Sequence, residues 1–378
     1  MVASSDTQDR FGFGENWADY IEKNFSEERL EISKNHLLDV LKLDTLAGKT
    51  FLDIGCGSGL HSLAAYRAGA DSIFSFDYDI NSVNTTKKLR DFAGAPDHWT
   101  VEQGSILDVG YVKKLPVSDV VYSWGVLHHT GEMWQAIENA SIPIKNEGVF
   151  YIALYTTDIY IDPPPEYWLK TKKAYNKAGA LKKRMMELAY AYPRVIRPAL
   201  RRFKNPLTEM KEYKASRGMS YWTDVRDWLG GWPMEFAGIQ ETKDFCSDKL
   251  NLELVNIVAG EGNTEYVFKR KGEKNYWNSY FEALSLYTLD PPFAPVDGNA
   301  WCATLPDDVV PYDEPGSKAS KLMLYENDVP LGFPHCNVRQ IAKHGGSRYL
   351  HEKGKLIFST TDNSDPNQNG RRYTYSSL

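Results

Sequence analysis

The chain has 378 residues, a length that suits two domains better than one. Hydrophobic residues make up 42% and charged residues 25%, and no stretch approaches the roughly 18 uninterrupted apolar residues of a membrane span. The four cysteines are scattered without a CxxC pair, so neither a disulfide framework nor a structural zinc site is indicated, and residues 1–10 lack the apolar core of a secretory signal. We expect a cytoplasmic protein.

The net charge of −6 conceals a strongly basic segment. Residues 166–217 contain fifteen Lys and Arg against four Glu. Such a segment in an otherwise acidic chain suggests a localised anionic partner, either an anionic lipid surface at the membrane periphery or a phosphate-bearing substrate. A solvated helical surface is the alternative. No RNA-binding module accompanies the segment, so we expect no nucleic-acid partner.

The predicted elements alternate between strand and helix. Residues 15–48 have helix-like apolar spacing. Beyond them the pattern predicts strands at 51–54, 72–76, 119–124 and 148–155, with helices at 60–68, 80–92 and 133–140. This alternation is typical of an α/β fold, with a parallel sheet that is covered by helices on both faces.

Three prolines at 163–165 interrupt this pattern. A basic helical stretch then runs to about residue 217, and 236–270 returns to a helix and two strands. After residue 272, Pro, Asp and Gly become frequent, and short β-like runs occur at 321–325 and 355–360. We therefore predict five parts: 1–50, a helical cap; 51–155, a cofactor-binding core; 156–235, a basic helical lid; 236–271, the end of the sheet; and 272–378, a β-rich C-terminal module.

A glycine-rich turn follows the first predicted strand. Asp53 ends the strand, and Gly55, Gly57 and Gly59 allow a tight turn that lets a ligand approach the backbone. The helix that follows presents free N–H groups to the anionic end of a ligand. Asp77 ends the next strand, where a carboxylate can accept both hydroxyls of a ribose. An NAD-binding domain is the alternative, but the sixth position of its glycine motif is Leu here.

The motif at 51–59 resembles motif I of class I S-adenosylmethionine (SAM)-dependent methyltransferases. Asp77 looks like the family's ribose-binding acid, and residues 123–129 look like its motif after the fourth strand. The resemblance covers residues 11–270, and 262–268 look like the family's last, antiparallel strand. It implies a Rossmann-like sheet with a helical lid insertion, with SAM as the cofactor and S-adenosylhomocysteine as the product.

The same resemblance assigns further residues to the cofactor. Residues 104–108 follow the third strand of this architecture, and the backbone near Ser105 and Ile106 is expected beside the adenine. Tyr78 and Trp124 follow neighbouring strand ends. Residues 11–17 resemble a segment that lies over SAM in many relatives, so Trp17, with Tyr20 nearby, could cover the sulfonium; packing of an N-terminal helix is the alternative.

His128 and His129 are candidate catalytic bases. Methyl transfer to a hydroxyl is helped by a base that removes the proton, and histidine titrates near neutral pH. Related sugar O-methyltransferases carry a similar His-His pair, one of which is thought to act as the base. One or both residues could instead only pack near the cofactor. Tyr155, at the end of the next strand, is a further pocket candidate.

Residues 224–233 are rich in Trp and in charged residues. They lie just outside the core pattern, at a position where substrate lids are usually inserted. We predict substrate contacts for Arg217, Asp224, Arg226 and Trp232. A hydrophobic clamp between lid and core is the alternative.

The tail at 358–373 resembles segments of bacterial surface-glycan biosynthesis proteins. Within it, 365–370 matches the start of a calcium loop but not its end, so an Asx-rich turn is the better interpretation, and we predict no metal site. Together these features predict a SAM-dependent O-methyltransferase acting on a small-molecule or glycan acceptor, namely a hydroxyl of a sugar or glycan precursor. The alternatives are a phenolic, quinol or other small-metabolite acceptor and a non-catalytic SAM-binding scaffold.

Overall fold

The computed structural model describes residues 25–210, 221–259, 262–314 and 318–376. It divides into two compact units. The first contains the described residues up to 39 with 43–145 and 151–237, and the second contains 40–42, 146–150 and the described residues from 238 onward. The predicted five-part division is finer than these units and stays a prediction.

A seven-stranded sheet has the strand order β3-β2-β1-β4-β5-β7-β6. Its strands are β1 (Thr50–Ile54), β2 (Ser72–Asp77), β3 (Trp99–Gln103), β4 (Ser118–Trp124), β5 (Ile144–Leu154), β6 (Leu252–Ala259) and β7 (Thr264–Arg270). β1 pairs in parallel with both β2 and β4, whereas β6 and β7 pair antiparallel. The predicted α/β fold with a Rossmann-like sheet is confirmed.

Strand β1 is an interior strand of the sheet, and both of its faces are covered. Phe51, Leu52 and Ile54 are each at most 1% exposed, and Asp53 is 2% exposed. A parallel strand between two neighbours buries both faces, so buried residues follow one another along it instead of alternating with exposed ones. The apolar pattern gave no bounds for β3, because only Trp99 and Val101 of its five residues are buried.

Nine helices are labelled among the described residues of the first unit. They are α1 (Glu27–Leu41, up to residue 39), α2 (Leu60–Arg67), α3 (Ile80–Phe92), α4 (Val109–Val112), α5 (Met133–Ser141), α6 (Pro165–Asn176), α7 (Ala180–Ala191), α8 (Arg197–Arg201) and α9 (Tyr221–Gly230). The helices predicted at 60–68, 80–92 and 133–140 are confirmed to within one residue. α3 starts at its predicted residue, Ile80. The Asp79 carboxylate caps the helix there by accepting a hydrogen bond from Asn81 N.

The described part of the basic segment, residues 166–210, is largely helical, as predicted. α6, α7 and α9 pack around a cluster of Tyr175, Ala191, Met210, Tyr221, Val225 and Leu229. Asn176 Nδ2 donates to the carbonyl of Gly230 at 2.8 Å and ties the end of α6 to the end of α9. A π-helical turn, Tyr192–Ile196, joins α7 to α8.

The second unit ends in two small antiparallel sheets, so the predicted β-rich C-terminal region is confirmed. Their strand orders are β13-β14-β10-β9 and β12-β11-β15-β8. The elements after the seven-stranded sheet are α11 (Tyr276–Ala283), β8 (Tyr287–Thr288), β9 (Ala294–Asp297), β10 (Ala300–Thr304), β11 (Met323–Glu326), β12 (Val329–Pro330), α12 (Val338–His344), β13 (Tyr349–Glu352), β14 (Lys355–Phe358) and β15 (Tyr373–Ser376); α10 (Ile239–Asp244) precedes β6.

The calcium-like sequence near the C-terminus forms a turn that is closed by its own side chains. The Asp365 carboxylate accepts from Asn367 N at 2.9 Å, which is an Asx turn. The Asn367 amide exchanges two hydrogen bonds with the backbone of Phe293. The predicted Asx-rich turn is thus what these residues form.

No helix in the described ranges is long and apolar enough to cross a membrane.

Candidate functional site: a nucleotide-like cofactor turn beside a histidine pair

The turn after β1 is fastened to the end of β2. Gly55 N and Cys56 N both donate to the carbonyl of Phe76, at 2.8 and 3.0 Å. Gly55 has φ +74°, and a Cβ there would lie 2.4 Å from Cγ1 of Val126. Both the backbone conformation and the close approach therefore require glycine at position 55.

Asp77 joins the turns that follow three adjacent strands. Its carboxylate accepts from Gly57 N and from Asp79 N, each at 2.9 Å, and its carbonyl accepts from Gly104 N at 3.0 Å. Burial raises the pKa of Asp77 to about 6, although the two backbone hydrogen bonds oppose the shift. The acid is thus fixed at the carboxyl ends of β1, β2 and β3, where ligands bind in open α/β sheets.

Asp53 lies beneath this turn. It is 2% exposed and accepts a short hydrogen bond from the Ser62 hydroxyl. That hydroxyl lies 2.8 Å from Ser75 Oγ, which in turn accepts from Trp99 Nε1 at 2.9 Å. Burial raises the pKa of Asp53 to about 7. The chain of hydrogen bonds fastens α2 to the sheet, and the role of Asp53 as a cofactor ligand stays a prediction.

The loop after β3 is held by two contacts. Asn139 Nδ2 on α5 donates to the carbonyl of Ile106 at 2.8 Å, and a Cβ on Gly104 would lie 2.2 Å from the ring of Tyr111. Ser105 and Ile106 are therefore in a fixed backbone segment. Tyr78 and Trp124, at the ends of β2 and β4, are 56% and 37% exposed. Two aromatic side chains are thus accessible at the sheet edge that Asp77 occupies.

The two histidines lie in a short 3-10 turn, Leu127–His129, rather than in β4 itself. His129 Nδ1 is 2.7 Å from the carbonyl oxygen of Pro233. A carbonyl can only accept, so Nδ1 carries the proton and the lone pair of the neutral ring is on Nε2. The backbone also holds the turn, because Glu235 N donates to the carbonyl of His128 at 2.8 Å. The segment after α9 therefore sets both the position and the tautomer of His129.

His128 is completely buried. Neither of its ring nitrogens has a hydrogen-bond partner among the described residues. Burial holds the pKa of His128 well below its ordinary value, and the neighbouring His129 and Lys172 add to this effect. Its ring lies 4.4 Å from that of His129 and 4.3 Å from that of Tyr155.

An aromatic wall adjoins the histidines. The ring of Tyr155 lies 5.6 Å from Trp228 and 6.2 Å from Phe236, and Tyr160 stacks on Trp228 at 5.4 Å. Trp228 Nε1 is buried and has no hydrogen-bond partner in the described part of the chain. The wall therefore combines flat apolar surface with one unused donor, Trp228 Nε1, a combination suited to a ring that carries polar groups.

Lys172 is an unexpected member of this wall. It is 1% exposed, its Nζ donates to the carbonyl of Trp228, and the ammonium lies 4.1 Å from the centre of the Trp228 ring. Burial lowers the pKa of Lys172 to about 7, and the charge of Asp227 opposes the shift. A basic segment gives no sequence signal for one buried lysine among fifteen cations, so only the packing of α6 against α9 reveals it.

Part of the chain is similar in sequence to known methyltransferases. The family model for ribosomal protein L11 methyltransferase (PrmA) matches residues 35–122. A tRNA U34 carboxymethyltransferase of Methylococcus capsulatus is 38% identical over 88 residues, which are 22% of this chain and 25% of that protein. A ribosomal protein L11 methyltransferase of Shouchella clausii is 37% identical over 71 residues, 19% of this chain and 22% of that protein. The chain thus spans about a quarter of the length of these curated relatives.

The family-model match, residues 35–122, includes β1, β2 and β3 with Asp77. The chain has a class I SAM-dependent methyltransferase fold. Solved structures that resemble it include PKMT2 of Rickettsia typhi in complex with AdoHcy, with a TM-score of 0.45 at 14% identity, covering 67% of this chain and 56% of that one. Magnesium protoporphyrin IX methyltransferase of Synechocystis, with bound SAH, has a TM-score of 0.40 at 11% identity, covering 68% and 94% of the two chains.

The residues of this methyltransferase domain fit SAM, which is its cofactor. Gly59, with φ +78°, precedes α2 and offers no side-chain cap, so N–H groups of the first helical turn are left for a carboxylate ligand. The role of Asp77 in accepting the ribose hydroxyls stays a prediction. Gly125 directly follows β4. A Cβ added there would meet no described atom within 4 Å, so the space beside the backbone at this position is open.

The predicted site residues fall into three groups. One group lies at or just after the carboxyl ends of β1 to β4: Gly55, Gly57, Gly59, Asp77, Tyr78, Ser105, Ile106 and Trp124. His128, His129 and Tyr155 lie together, with ring centres within 5.7 Å of one another. Arg226 instead pairs with Glu187 at 3.4 Å, and Trp232 lies under the ammonium of Lys173 at 4.7 Å. Asp224 is partly buried on α9. Trp17 and Arg217 lie outside the described residues.

Several residues of the wall were missed in the sequence. They are Tyr160, Lys172, Trp228, Pro233 and Phe236. A density of Trp and Tyr in 155–236 was visible, but which of these rings face the histidines depends on how the helices after β5 fold back. Trp228 and Pro233 lay in 224–233, a stretch that the sequence analysis had already marked.

Proposed function

We propose that the chain is a SAM-dependent O-methyltransferase that modifies a hydroxyl of a ring-bearing small acceptor, a sugar or glycan precursor first among them. The observation that carries the proposal is the hydrogen bond from His129 Nδ1–H to the Pro233 carbonyl. It leaves the lone pair on Nε2, in a ring that lies beside a wall of aromatic groups. An oriented neutral imidazole is what deprotonation of a hydroxyl requires.

When bound, SAM supplies a methyl group activated by a sulfonium. Asp77 and the backbone of the first turn of α2 hold the cofactor end of the site. As the methyl group passes from the sulfur of bound SAM to the acceptor oxygen and S-adenosylhomocysteine leaves, His129 Nε2 would take the proton of the acceptor hydroxyl. Its positive charge is stabilised by the Pro233 carbonyl on Nδ1–H, and the proton then leaves to solvent. Tyr155, Tyr160 and Trp228 orient the acceptor ring and exclude water.

The same wall favours a second acceptor class. Tyr160, Trp228 and Phe236 offer flat faces that would stack on a phenol or quinol as well as on a sugar ring. The curated relatives act on tRNA and on a ribosomal protein by their names. The family model matches residues 35–122 alone, and the chain spans about a quarter of the relatives' length, so those substrates are not carried over to this chain.

The test is product analysis with panels of acceptors. Purified protein is incubated with SAM labelled in the methyl group and with sugar nucleotides, free glycans, phenols or quinols, and products are identified by mass spectrometry. The proposal expects a methyl ether on one acceptor hydroxyl. Methylation of nitrogen or carbon contradicts the O-methyl assignment. SAM binding in calorimetry without turnover on any panel identifies a scaffold instead.

A further inference from the structure

Helix α7 has an apolar stripe that faces solvent. Leu181, Met185, Leu188 and Tyr192 recur at intervals of four, three and four residues, so they lie on one face of the helix. They are 80%, 63%, 44% and 53% exposed. The stripe is therefore a continuous strip of large apolar side chains left in water, which isolated surface residues would not produce.

The stripe is not the core face of the helix. Ala191 is fully buried, Glu187 is 4% exposed, and Met186 and Tyr190 pack against the core cluster around Tyr175. On a helical wheel these residues lie opposite the stripe. The opposite side of α7 makes the contacts with the core cluster, so the exposed stripe contributes nothing to the packing of that cluster.

The surface continues into α8 and the turn after it. Leu200 is 57% exposed and Phe203 is 100% exposed. Exposed cations are interleaved with these apolar side chains: Lys182, Arg197, Arg201 and Lys204. Between residues 180 and 205 there are eight Lys and Arg against a single Glu. We call residues 181–204 the basic-apolar surface.

We propose that the basic-apolar surface docks the protein on an anionic lipid bilayer, with the apolar side chains at the headgroup–acyl boundary and the cations on lipid phosphates. Charge complementarity selects the bilayer over an uncharged partner, and the exposed aliphatic groups select it over a soluble phosphate compound, which would need cations alone. Nucleic acid is disfavoured because Leu181, Met185, Leu188 and Leu200 cannot stack on bases as aromatic side chains do. The inference is independent of the proposed reaction.

The experiment is flotation of the full chain with vesicles of phosphatidylcholine alone and of equimolar phosphatidylcholine and phosphatidylglycerol. The proposal expects binding only to the anionic vesicles, weakened by salt. The variant L181S/M185S/L188S removes exposed side chains that make no core contact, and we expect at least about a tenfold loss of affinity. The variant K182Q/R197Q/R201Q is expected to lose about a hundredfold, from about fivefold for each charge.

Matched controls lie elsewhere in the same unit. Ile32→Ser removes an apolar side chain of α1 that is 61% exposed, and K87Q/K88Q/K113Q removes three exposed lysines. Both are expected to bind vesicles like the wild type. SAM binding and the melting temperature of every variant verify that the fold is intact.

Each alternative partner of the basic-apolar surface predicts a different experimental result. Equal vesicle binding by the stripe variant and the wild type overturns the proposal, as does the absence of binding to anionic vesicles. Inhibition by soluble glycerol phosphate at the same phosphate concentration identifies a free-phosphate site. Retention of bulk tRNA in place of vesicles identifies nucleic acid, and a dimer in sedimentation that disperses in L181S/M185S/L188S identifies a second copy of the chain.

Discussion

His129 donates its Nδ1 hydrogen to the carbonyl oxygen of Pro233 across 2.7 Å. The two residues are 104 positions apart in the chain, and their contact fixes the tautomer of the one histidine of the pair that is not fully buried. His128, at 0% exposure and with its pKa depressed, lies behind it against Tyr155. The sequence could not choose between the two as the base; this contact favours His129.

His129→Ala is expected to lower the rate of methyl transfer by about 10²- to 10⁴-fold while SAM affinity stays unchanged, because the base is lost but the cofactor turn is not touched. The measurement is turnover on the acceptor found by the product panels, with SAM affinity from calorimetry. His128→Ala is the matched variant, and its turnover should fall less. The reverse order of the two losses would assign the base to His128.

Asp77→Asn is expected to weaken SAM binding at least about tenfold, since a charged acceptor of the ribose hydroxyls and of Gly57 N is replaced by an amide. The wild type should also lose SAM affinity as the pH falls through about 6, the pKa to which burial raises this carboxyl. Calorimetric titration across this range measures both effects. A pH-independent affinity in the wild type would contradict the role of Asp77.

Gly55→Ala is expected to abolish SAM binding and to destabilise the fold, because its Cβ would lie 2.4 Å from Val126 and its φ is +74°. Gly94→Ala is the control, with φ +91° and nothing within 4 Å of the added Cβ. It isolates the backbone strain, about 1–2 kcal/mol. Denaturant unfolding should give a clearly larger loss for Gly55→Ala; equal losses would mean that the contact with Val126 is not a constraint.

Asp53→Asn tests the buried acid beneath the turn. In the folded chain its pKa is raised from 3.8 to about 7, so the folded state binds a proton more readily than the unfolded state between these values. Its contribution to stability is therefore largest at low pH and falls as the pH rises from about 4 to about 7. The difference in the free energy of unfolding between wild type and variant should change in that direction; a constant difference would contradict the shift.

Lys172→Met removes the buried ammonium of the aromatic wall. The folded-state pKa of about 7 lies below the ordinary 10.5, so the unfolded chain binds the proton more readily between these values. Stability contributed through this group rises with pH across that window, and the variant should lack the rise. Urea unfolding at several pH values checks it. Lys173→Met, which removes the cation over Trp232, is the matched control and should keep the rise.

Much of the fold was predictable because its signals are local. The helix at 80–92 was predicted with its limits from the alternation of strand and helix, and the structure shows Asp79 as its N-cap. Gly55 and Gly59 were assigned to the cofactor turn from their spacing together with Asp77 at the end of the next strand. The resemblance implied a third strand before residue 104, but its bounds were not predicted, since two of its five residues are exposed and a short half-buried strand differs little from a loop in its sequence pattern.

The sequence by itself determined the α/β class, the cofactor turn with Asp77, and the presence of a histidine pair after β4. These features depend on residues that are neighbours in the chain or that follow adjacent parallel strands, so spacing reveals them. Only the tertiary structure decided that Pro233 selects the tautomer of His129, that Lys172 is buried against Trp228, and that one face of α7 is left apolar in water. Each of these depends on how the helices after β5 fold back onto the sheet and onto one another. Such contacts are set by the packing of whole side-chain surfaces, which no local pattern encodes.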